Sequence, residues 1–374
     1  MLFPWEECYL IASPTSHHFY VGSLPTLFCE KRQKLFGLNA TADCIWRHLT
    51  DGRTPAQVSS ELIKMGFVES EAVAFVRSAT ASWLNAGHLT PREVLDLLAE
   101  PPAATRNVRI HDLALQICFR GSASPKTFDD VFGHFCIGTS DPDTGLSVVG
   151  YRESFFIFEA NRPLIACSGH EVVPHLKAIL TERYVSSVES GFLVHAALLA
   201  KNNSTLLICG SPGAGKTTLS VALVGSGYSY CSDDIVRIER DGAATGVPFL
   251  PAVKTGAWSL VAPYAPHIAE LPTYRRADGQ DVRYLSVRTF ANEPRIVSDI
   301  VVLAREPGAA VVLDVIEPLE ALSILLESGF STRRALEADT LKTFARAIES
   351  ARCRRLFYSD LAEAARAIAS GAHE

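Results

Sequence analysis

The chain has 374 residues, 48% of them hydrophobic, and this length and composition predict a folded protein of two or three domains. Its 35 basic and 41 acidic residues give a formal net charge of −6, which argues against a nucleic-acid binder that depends on phosphate contacts. The nine cysteines include no C-x-x-C pair, and no stretch of 18 apolar residues occurs. We therefore expect no disulfide framework, zinc site or membrane span, and a cytoplasmic location.

The first predicted domain, residues 1–95, combines a short hairpin with three helices. Strand-like segments at 26–30 and 34–38 form the hairpin. Asn39 is a suitable N-cap for the first helix, and Thr54-Pro55 opens the second. Side chains of the third helix, about residues 69–85, that are predicted to face the core are Ala72, Phe75, Val76, Ala79 and Trp83. This arrangement is similar to a winged helix.

The rest of the chain predicts a mixed α/β (α+β) protein. A linker is predicted at 96–107, because Glu100-Pro101-Pro102 is the clearest boundary in the sequence. Residues 108–190 are predicted to form an accessory β-rich region that ends in a helix at 172–187. The last domain, 191–374, has predicted strands at 193–200, 206–209, 228–232, 235–239, 299–304 and 353–358.

Within this last domain lies a complete phosphate-binding loop. Residues 210–217 match the pattern G-x-x-x-x-G-K-[ST], between an apolar strand and a helix. Glycines let the loop amides face phosphate oxygens, and the start of the helix adds partial positive charge. Lys216 can reach the β- and γ-phosphates of ATP, and the Thr217 hydroxyl can bind Mg²⁺. The predicted nucleotide-binding residues are Gly210, Ser211, Pro212, Gly213, Ala214, Gly215, Lys216, Thr217 and Thr218.

Two further features flank the loop at informative distances. Asp233 and Asp234 end an apolar strand, 17 and 18 residues after Lys216, where a Mg²⁺-linked carboxylate is expected. Adjacent acids do not share a strand face, so one is expected to hold the metal and the other to face the acceptor. His195 lies 21 residues before Lys216 on the preceding predicted strand. That strand would bring it toward the phosphates.

His195, the loop and the Asp pair, in this order and spacing, resemble the HPr kinase/phosphorylase family. The resemblance covers about residues 190–310 and implies a P-loop kinase core related to phosphoenolpyruvate carboxykinase, with a serine hydroxyl as acceptor. It implies that Asp233 activates the acceptor, that Asp234 is linked to the metal together with Thr217, and that His195 is an active-site partner. The family's acid-Arg-Gly-x-Gly loop is missing after Asp234, so the resemblance does not extend to phosphorolysis.

Residues 25–92 resemble a second family, the PqqD-like peptide-recognition domains. The matching residues are Leu38-Asn39, Ala42, Ile45-Trp46, Leu49, Gly52-Arg53-Thr54, Leu84, Gly87 and Leu89. The resemblance implies that a leader peptide adds a strand to the hairpin edge and packs on the third helix. The sequence also allows a purely structural winged-helix or dimerisation unit. DNA binding is disfavoured because Arg77 is the one basic residue of the third helix.

Taken together, these features predict an ATP- and Mg²⁺-dependent kinase that phosphorylates a serine of a precursor peptide or small protein. The organisation resembles HPr-kinase-related enzymes of peptide-modification pathways, including lasso-peptide kinases, and is compatible with a homo-oligomer. Lys254 and Arg275 are candidate contacts for the phosphate or the acceptor. Two alternatives stay open: a small-molecule hydroxyl kinase with the same core, and a non-catalytic, nucleotide-dependent peptide-binding protein.

Overall fold

The computed structural model describes residues 5–30, 33–138, 145–239, 241–287, 290–291, 293–330 and 336–371. The chain divides into two compact units, with residues 1–109 and 114–172 in unit 1 and residues 110–113 and 173–374 in unit 2. Both units combine helices with sheets, which confirms the predicted mixed α/β class.

The N-terminal part of unit 1 has short strands around a group of helices. The strands are β1 (Leu10–Ala12), β2 (Ser16–Val21), β3 (Leu24–Cys29), β4 (Lys34–Gly37) and β5 (Leu89–Pro91). The helices are α1 (Ala40–Thr50), α2 (Pro55–Lys64), α3 (Glu69–Asn85) and α4 (Arg92–Ala99). The predicted caps are confirmed: the Asn39 side chain accepts from the Ala42 amide, and Thr54 forms a capping box with Gln57.

The predicted hairpin is confirmed as β3 and β4, which pair antiparallel in a sheet of order β2-β3-β4. The helices pack around a core that contains Trp46 and Trp83. The two rings pack edge to face, with their centroids 5.0 Å apart. The prediction that Phe75 faces this core is wrong, because 46% of its surface is exposed. Phe75 instead contacts the ring of Phe67 near the surface.

The remainder of unit 1 is a six-stranded sheet of order β11-β10-β9-β7-β6-β8. Its strands are β6 (Ala104–Ile110), β7 (Leu113–Gly121), β8 (Cys136–Ile137), β9 (Gly145–Tyr151), β10 (Ser154–Glu159) and β11 (Arg162–Ser168). Helix α5 (Lys126–Phe132) and a 3-10 turn (Gly133–Phe135) follow β7, and helix α6 (Gly169–Ser187) follows β11 and continues into unit 2. The predicted linker overlaps regular structure, since only residues 100–103 lie between α4 and β6.

Unit 2 contains three further sheets. Its strands are β12 (Phe192–Val194), β13 (Ala197–Lys201), β14 (Ser204–Cys209), β15 (Ser229–Ser232), β16 (Val236–Ile238), β17 (Ala243–Gly246), β18 (Ala252–Lys254), β19 (Tyr274–Arg275), β20 (Asp281–Tyr284), β21 (Arg295–Ile296), β22 (Asp299–Arg305), β23 (Val312–Val315) and β24 (Arg352–Tyr358). Its helices after α6 are α7 (Lys216–Gly225), α8 (Trp258–Val261), α9 (Pro318–Glu327), α10 (Ala338–Glu349) and α11 (Leu361–Gly371), with 3-10 turns at Thr255–Ala257 and Pro266–Glu270.

The largest sheet of unit 2 has the order β15-β13-β14-β22-β24-β23, and its three strands β14, β22 and β24 run parallel. Side chains of α7 and α11 pack on one face, and side chains of α9 and α10 pack with the opposite face. Because the carboxyl ends of parallel strands meet at one edge of a sheet, the residues after β14, β22 and β24 gather there. This edge holds the candidate site.

One predicted strand of unit 2, residues 193–200, is split in the structure. β12 pairs with β16 in a four-stranded sheet, whereas β13 joins the largest sheet. His195 and Ala196 make the connection between them, and the His195 amide donates to the Ser328 carbonyl. His195 therefore lies in a short crossing between two sheets rather than within a strand. Within the described ranges, no helix has the length and apolar character needed to cross a membrane.

Candidate active site

The predicted phosphate-binding loop connects β14, which ends at Cys209, to α7, which begins at Lys216. Gly210, Gly213 and Gly215 have φ values of +147°, +86° and +102°, a region that residues with a Cβ rarely adopt. At Gly215 a Cβ would also lie 2.4 Å from the Tyr358 hydroxyl oxygen. The glycines of the motif are thus required by the backbone of the loop itself. Because α7 starts at Lys216, the amides of its first turn have no acceptor within the helix and are available to an anion.

Two side chains support the loop from within. The Lys216 Nζ donates to the Gly210 carbonyl at 2.8 Å, and only 6% of Lys216 is exposed. Burial lowers the pKa of Lys216. The negative charge of a bound polyphosphate would raise this pKa again. The Tyr358 hydroxyl, at the end of β24, donates to the Ala214 carbonyl at 2.7 Å. This second contact was not predicted from the sequence, since no motif contains Tyr358.

Asp233 follows β15 and is almost fully buried, with 4% of its surface exposed. The Tyr230 hydroxyl donates to its Oδ1 at 2.6 Å and also lies 2.7 Å from the Phe249 carbonyl oxygen. The Thr217 side chain lies near the same carboxyl group and favours its charged form. Burial raises the pKa of Asp233, although Lys177 and these neighbouring side chains act in the opposite direction. Thr217 therefore lies beside Asp233 in this site.

Asp234 lies between two nitrogen-bearing side chains. His195 Nδ1 is 3.1 Å from its Oδ1, and Lys177 Nζ, from α6, is 2.9 Å from its Oδ2. Burial disfavours the charge of Asp234, but Lys177 and the hydrogen bond from His195 outweigh it and hold its pKa well below the ordinary value. Burial likewise acts to lower the pKa of Lys177, and the charges of Asp234 and Asp233 raise it overall. The pair is therefore ionised, with Asp234 28% exposed at the site.

These groups line one cavity of about 680 Å³. Its walls include Lys177, His195, Pro212, Gly213, Gly215, Lys216, Thr217, Thr218, Asp233, Asp234, Lys254, Leu260, Arg276 and Arg305. The structure thus brings together the loop, His195 and both acids, and it places Lys254 on the same wall. Arg275 is not among the lining residues and lies 3.3 Å from Asp281 instead. The neighbouring Arg276 and the distant Arg305 line the cavity in its place.

Sequence reasoning missed four residues here: Lys177, Tyr230, Arg276 and Arg305. Lys177 and Arg305 come from α6 and the end of β22, far from the loop in sequence, so only the tertiary fold brings them to it. Tyr230 precedes the Asp pair by three residues, and a tyrosine in an apolar strand is ordinarily a core residue. Arg276 belongs to a charged turn in which either arginine could have been selected.

The donor groups of the cavity suit a magnesium ion bound together with a nucleotide. Among the residues that the structure describes, no group of three or more His, Cys, Asp or Glu side chains is placed to hold a metal ion. Mg²⁺ in nucleotide sites is commonly bound by one or two protein oxygens, with waters and phosphate oxygens completing the shell. The Thr217 hydroxyl, in the first turn of α7, and the Asp233 carboxylate, just after β15, are such oxygens, and both residues line the cavity.

No protein-family model and no curated protein matches the chain. Among solved structures, one similar chain is TbiB1 in complex with the TbiA(beta) leader peptide, with 18% identity and a TM-score of 0.20, over 21% of this chain and 93% of that chain. Another is the Hpr(Ser) kinase/phosphatase from Coxiella burnetii, with 10% identity and a TM-score of 0.24, over 48% of this chain and 95% of that chain. Scores this low assign no function to the chain.

Proposed function

We propose that this protein is a Mg²⁺- and ATP-dependent kinase that phosphorylates a serine hydroxyl of a peptide or small protein. The main support is the ionised Asp234, which lies between Lys177 and His195 in the same cavity as Lys216 and the phosphate-binding loop. Beyond the loop and the metal-linked acid, a phosphoryl-transfer site needs a group that positions the attacking oxygen, which belongs to water in a hydrolase and to an acceptor hydroxyl in a kinase. The second carboxylate with its two nitrogen partners suits an acceptor hydroxyl that must be oriented and deprotonated.

On the donor side, the loop amides and Lys216 would bind the β- and γ-phosphates. Thr217 and Asp233 would hold Mg²⁺, which when bound neutralises charge on the phosphate oxygens. Tyr230 supports this role of Asp233. Burial raises the Tyr230 pKa well above its ordinary value, so its hydroxyl stays protonated and fixes one carboxylate oxygen. The other oxygen is left for Thr217 and the metal shell.

On the acceptor side, Asp234 would accept a hydrogen bond from the serine hydroxyl. Its two oxygens already face His195 and Lys177, and each carboxylate oxygen has a second lone pair for the acceptor. As the serine oxygen bonds to the γ-phosphorus, the bond from that phosphorus to the β,γ-bridging oxygen breaks, ADP leaves, and the serine proton passes to Asp234. Lys177 and Lys254 then place positive charge near the transferring group.

The division of roles proposed for the acids is thus the reverse of the one implied by the resemblance. Thr217 lies near Asp233, which is the relation expected of a loop threonine and the acid that share a magnesium ion. Asp234 is the more exposed of the two and contacts His195 and Lys177, which both lie outside the phosphate-binding loop. This contact pattern supports Asp234 as the acceptor-facing residue.

The substrate is proposed to be a peptide because unit 1 offers an exposed sheet edge. β4 is one of the two outer strands of the sheet β2-β3-β4, and all four of its residues are exposed. Leu35 and Phe36 expose 62% and 38% of their surface, and Phe36 contacts the ring of His88, just after α3. An added peptide strand would gain main-chain hydrogen bonds along β4 and side-chain contacts with these apolar residues.

The test is transfer from ATP labelled in its γ-phosphate to a library of serine-containing peptides, with Mg²⁺ present. We expect labelled phosphoserine in peptides that also bind the full chain, and no label with Lys216→Ala. Label in free small alcohols but in no peptide would instead establish a small-molecule kinase. ATP binding without any labelled product would establish the non-catalytic alternative, and either result would overturn the proposal.

A further inference from the structure

A second cavity, of about 280 Å³, adjoins the phosphate-binding loop. Its walls are Gly215, Thr218, Ser259, Leu260, Pro263, Tyr264, Arg305, Tyr358, Ser359, Asp360, Leu361 and Ala362. They come from the loop, from α8 and the turn after it, and from the ends of β22 and β24. Its volume is near the lower end of the ~300–1,000 Å³ that small-molecule sites occupy.

The two cavities share Gly215, Thr218, Leu260 and Arg305. Lys216, Thr217 and both acids line only the larger cavity, whereas Thr218, one residue further along α7, lines both. A triphosphate whose terminal group lies beside the acids can therefore continue past Thr218 into the smaller cavity. The part of a nucleotide that follows its α-phosphate is the ribose and base.

The walls of the smaller cavity suit that part of the ligand. Leu260, Pro263 and the rings of Tyr264 and Tyr358 supply apolar and aromatic surface against which a flat heterocycle packs. The Tyr358 ring is held in place because its hydroxyl donates to the Ala214 carbonyl. The Asp360 side chain, at the start of α11, adds a carboxylate whose Oδ1 accepts from the Glu363 amide.

Arg305 stands where the two cavities meet, at the end of β22. Its side chain is exposed, and no hydrogen-bond or ion-pair partner is found for it among the residues that the structure describes. A cation at this junction is placed for the α-phosphate or the ribose oxygens, the atoms that link the two parts of a nucleotide.

We propose that the 280 Å³ cavity binds the base and ribose of the nucleotide, with Arg305 at the α-phosphate. This inference shares one assumption with the proposed function, which is that a nucleoside triphosphate binds to the loop. It places the nucleoside part of that ligand, and it attributes the difference in affinity between ATP and an inorganic polyphosphate to this cavity.

The test compares binding of Mg·ATP and magnesium tripolyphosphate to the full chain by calorimetry. Ala362→Trp fills the cavity from an exposed position on α11 that does not line the larger cavity. We expect this variant to lose about ten- to a hundredfold in ATP affinity, the range expected for a lost base stack, and to bind tripolyphosphate as the wild type does. Glu363→Trp, the adjacent exposed position outside the cavity, should leave both affinities unchanged.

Retained tripolyphosphate binding also shows that the variant is folded. Ser259→Trp, which fills the cavity from the opposite wall, should give the same selective loss, and light-activated 8-azido-ATP should label the peptides containing Tyr264 or Tyr358. Unchanged ATP affinity in both tryptophan variants, or label only elsewhere, would overturn the inference while leaving the kinase proposal intact. If the wild type binds neither ligand, the proposed function itself is wrong.

Discussion

Lys177 Nζ lies 2.9 Å from Asp234 Oδ2, although 57 residues separate the two in sequence. α6 brings the lysine to the end of β15, and His195 approaches the other oxygen of the same carboxylate. Only 13% of the Lys177 side chain is exposed, and its ammonium also lies 5.5 Å from the centre of the Phe249 ring. An amine held this way keeps Asp234 ionised and fixes its direction within the cavity.

Replacing this lysine should therefore impair transfer more than nucleotide binding. For Lys177→Met we expect the rate of phosphoryl transfer to fall by about a hundredfold or more, the scale seen when one preorganised charge is removed from a transition state. ATP affinity should change little, because the loop and Lys216 are untouched. Calorimetry and single-turnover transfer measured on the same preparation separate the two. An ATP affinity that falls as much as the rate would contradict this role.

The two acids should respond differently to magnesium. Asp233→Asn removes a charge that we place in the metal shell with Thr217, so its ATP affinity should no longer increase when Mg²⁺ is added. Asp234→Asn should keep the wild-type increase. Calorimetric titrations of ATP with and without Mg²⁺, or with EDTA added, measure this directly. The opposite pattern would restore the division of roles that the sequence resemblance implied.

Much of the site could be predicted from the sequence because its parts are local. The loop, its glycines and its helix are contiguous, and the helix caps at Asn39 and Thr54 depend on neighbouring residues. Lys177 and Arg305 could not be predicted, since their positions depend on how distant elements pack. Arg275 was predicted as a contact although Arg276 lines the cavity. The sequence alone does not show which of two adjacent arginines in a charged turn points toward the site. Phe75 was predicted to be buried because it follows the helical spacing of the core residues. That spacing does not show how wide the buried face of the helix is.

A buried ion pair is expected to anchor the parallel strands at the edge opposite the loop. Asp299, the first residue of β22, lies 2.8 Å from Arg354 Nη2 and 3.0 Å from Arg352 Nε. The Asp299 and Arg354 side chains are only 5% and 12% exposed, so Asp299→Ala removes a carboxylate that faces a buried guanidinium. We expect a loss of roughly 3 kcal/mol in the free energy of unfolding, measured with urea.

Arg352→Met is the matched control for that substitution. The Arg352 side chain is 41% exposed, so its contribution is screened by solvent and should not exceed about 1 kcal/mol. Equal losses of unfolding free energy in the two variants would show that the buried ion pair with Arg354 stabilises β22 and β24 no more than the exposed pair with Arg352 does.

The exposed edge strand of unit 1 should determine peptide binding without affecting catalysis. Leu35→Asp places a charge on β4 at a position 62% exposed, so the fold should tolerate it while an apolar peptide contact is lost. We expect peptide affinity to fall about tenfold, with ATP binding unchanged, by fluorescence anisotropy of a peptide that the chain phosphorylates. Met65→Asp, 63% exposed after α2, is the control. Equal losses of peptide affinity in the two variants would show that β4 does not bind the peptide.

The measurement closest to the central claim is transfer of γ-labelled phosphate from Mg·ATP to serine in the wild type and in Asp234→Asn. We predict labelled phosphoserine with the wild type, and a variant that binds Mg·ATP normally but forms about a hundredfold less product. Wild-type transfer by Asp234→Asn, or label that appears only in inorganic phosphate with the wild-type chain, would contradict a serine kinase built around this carboxylate.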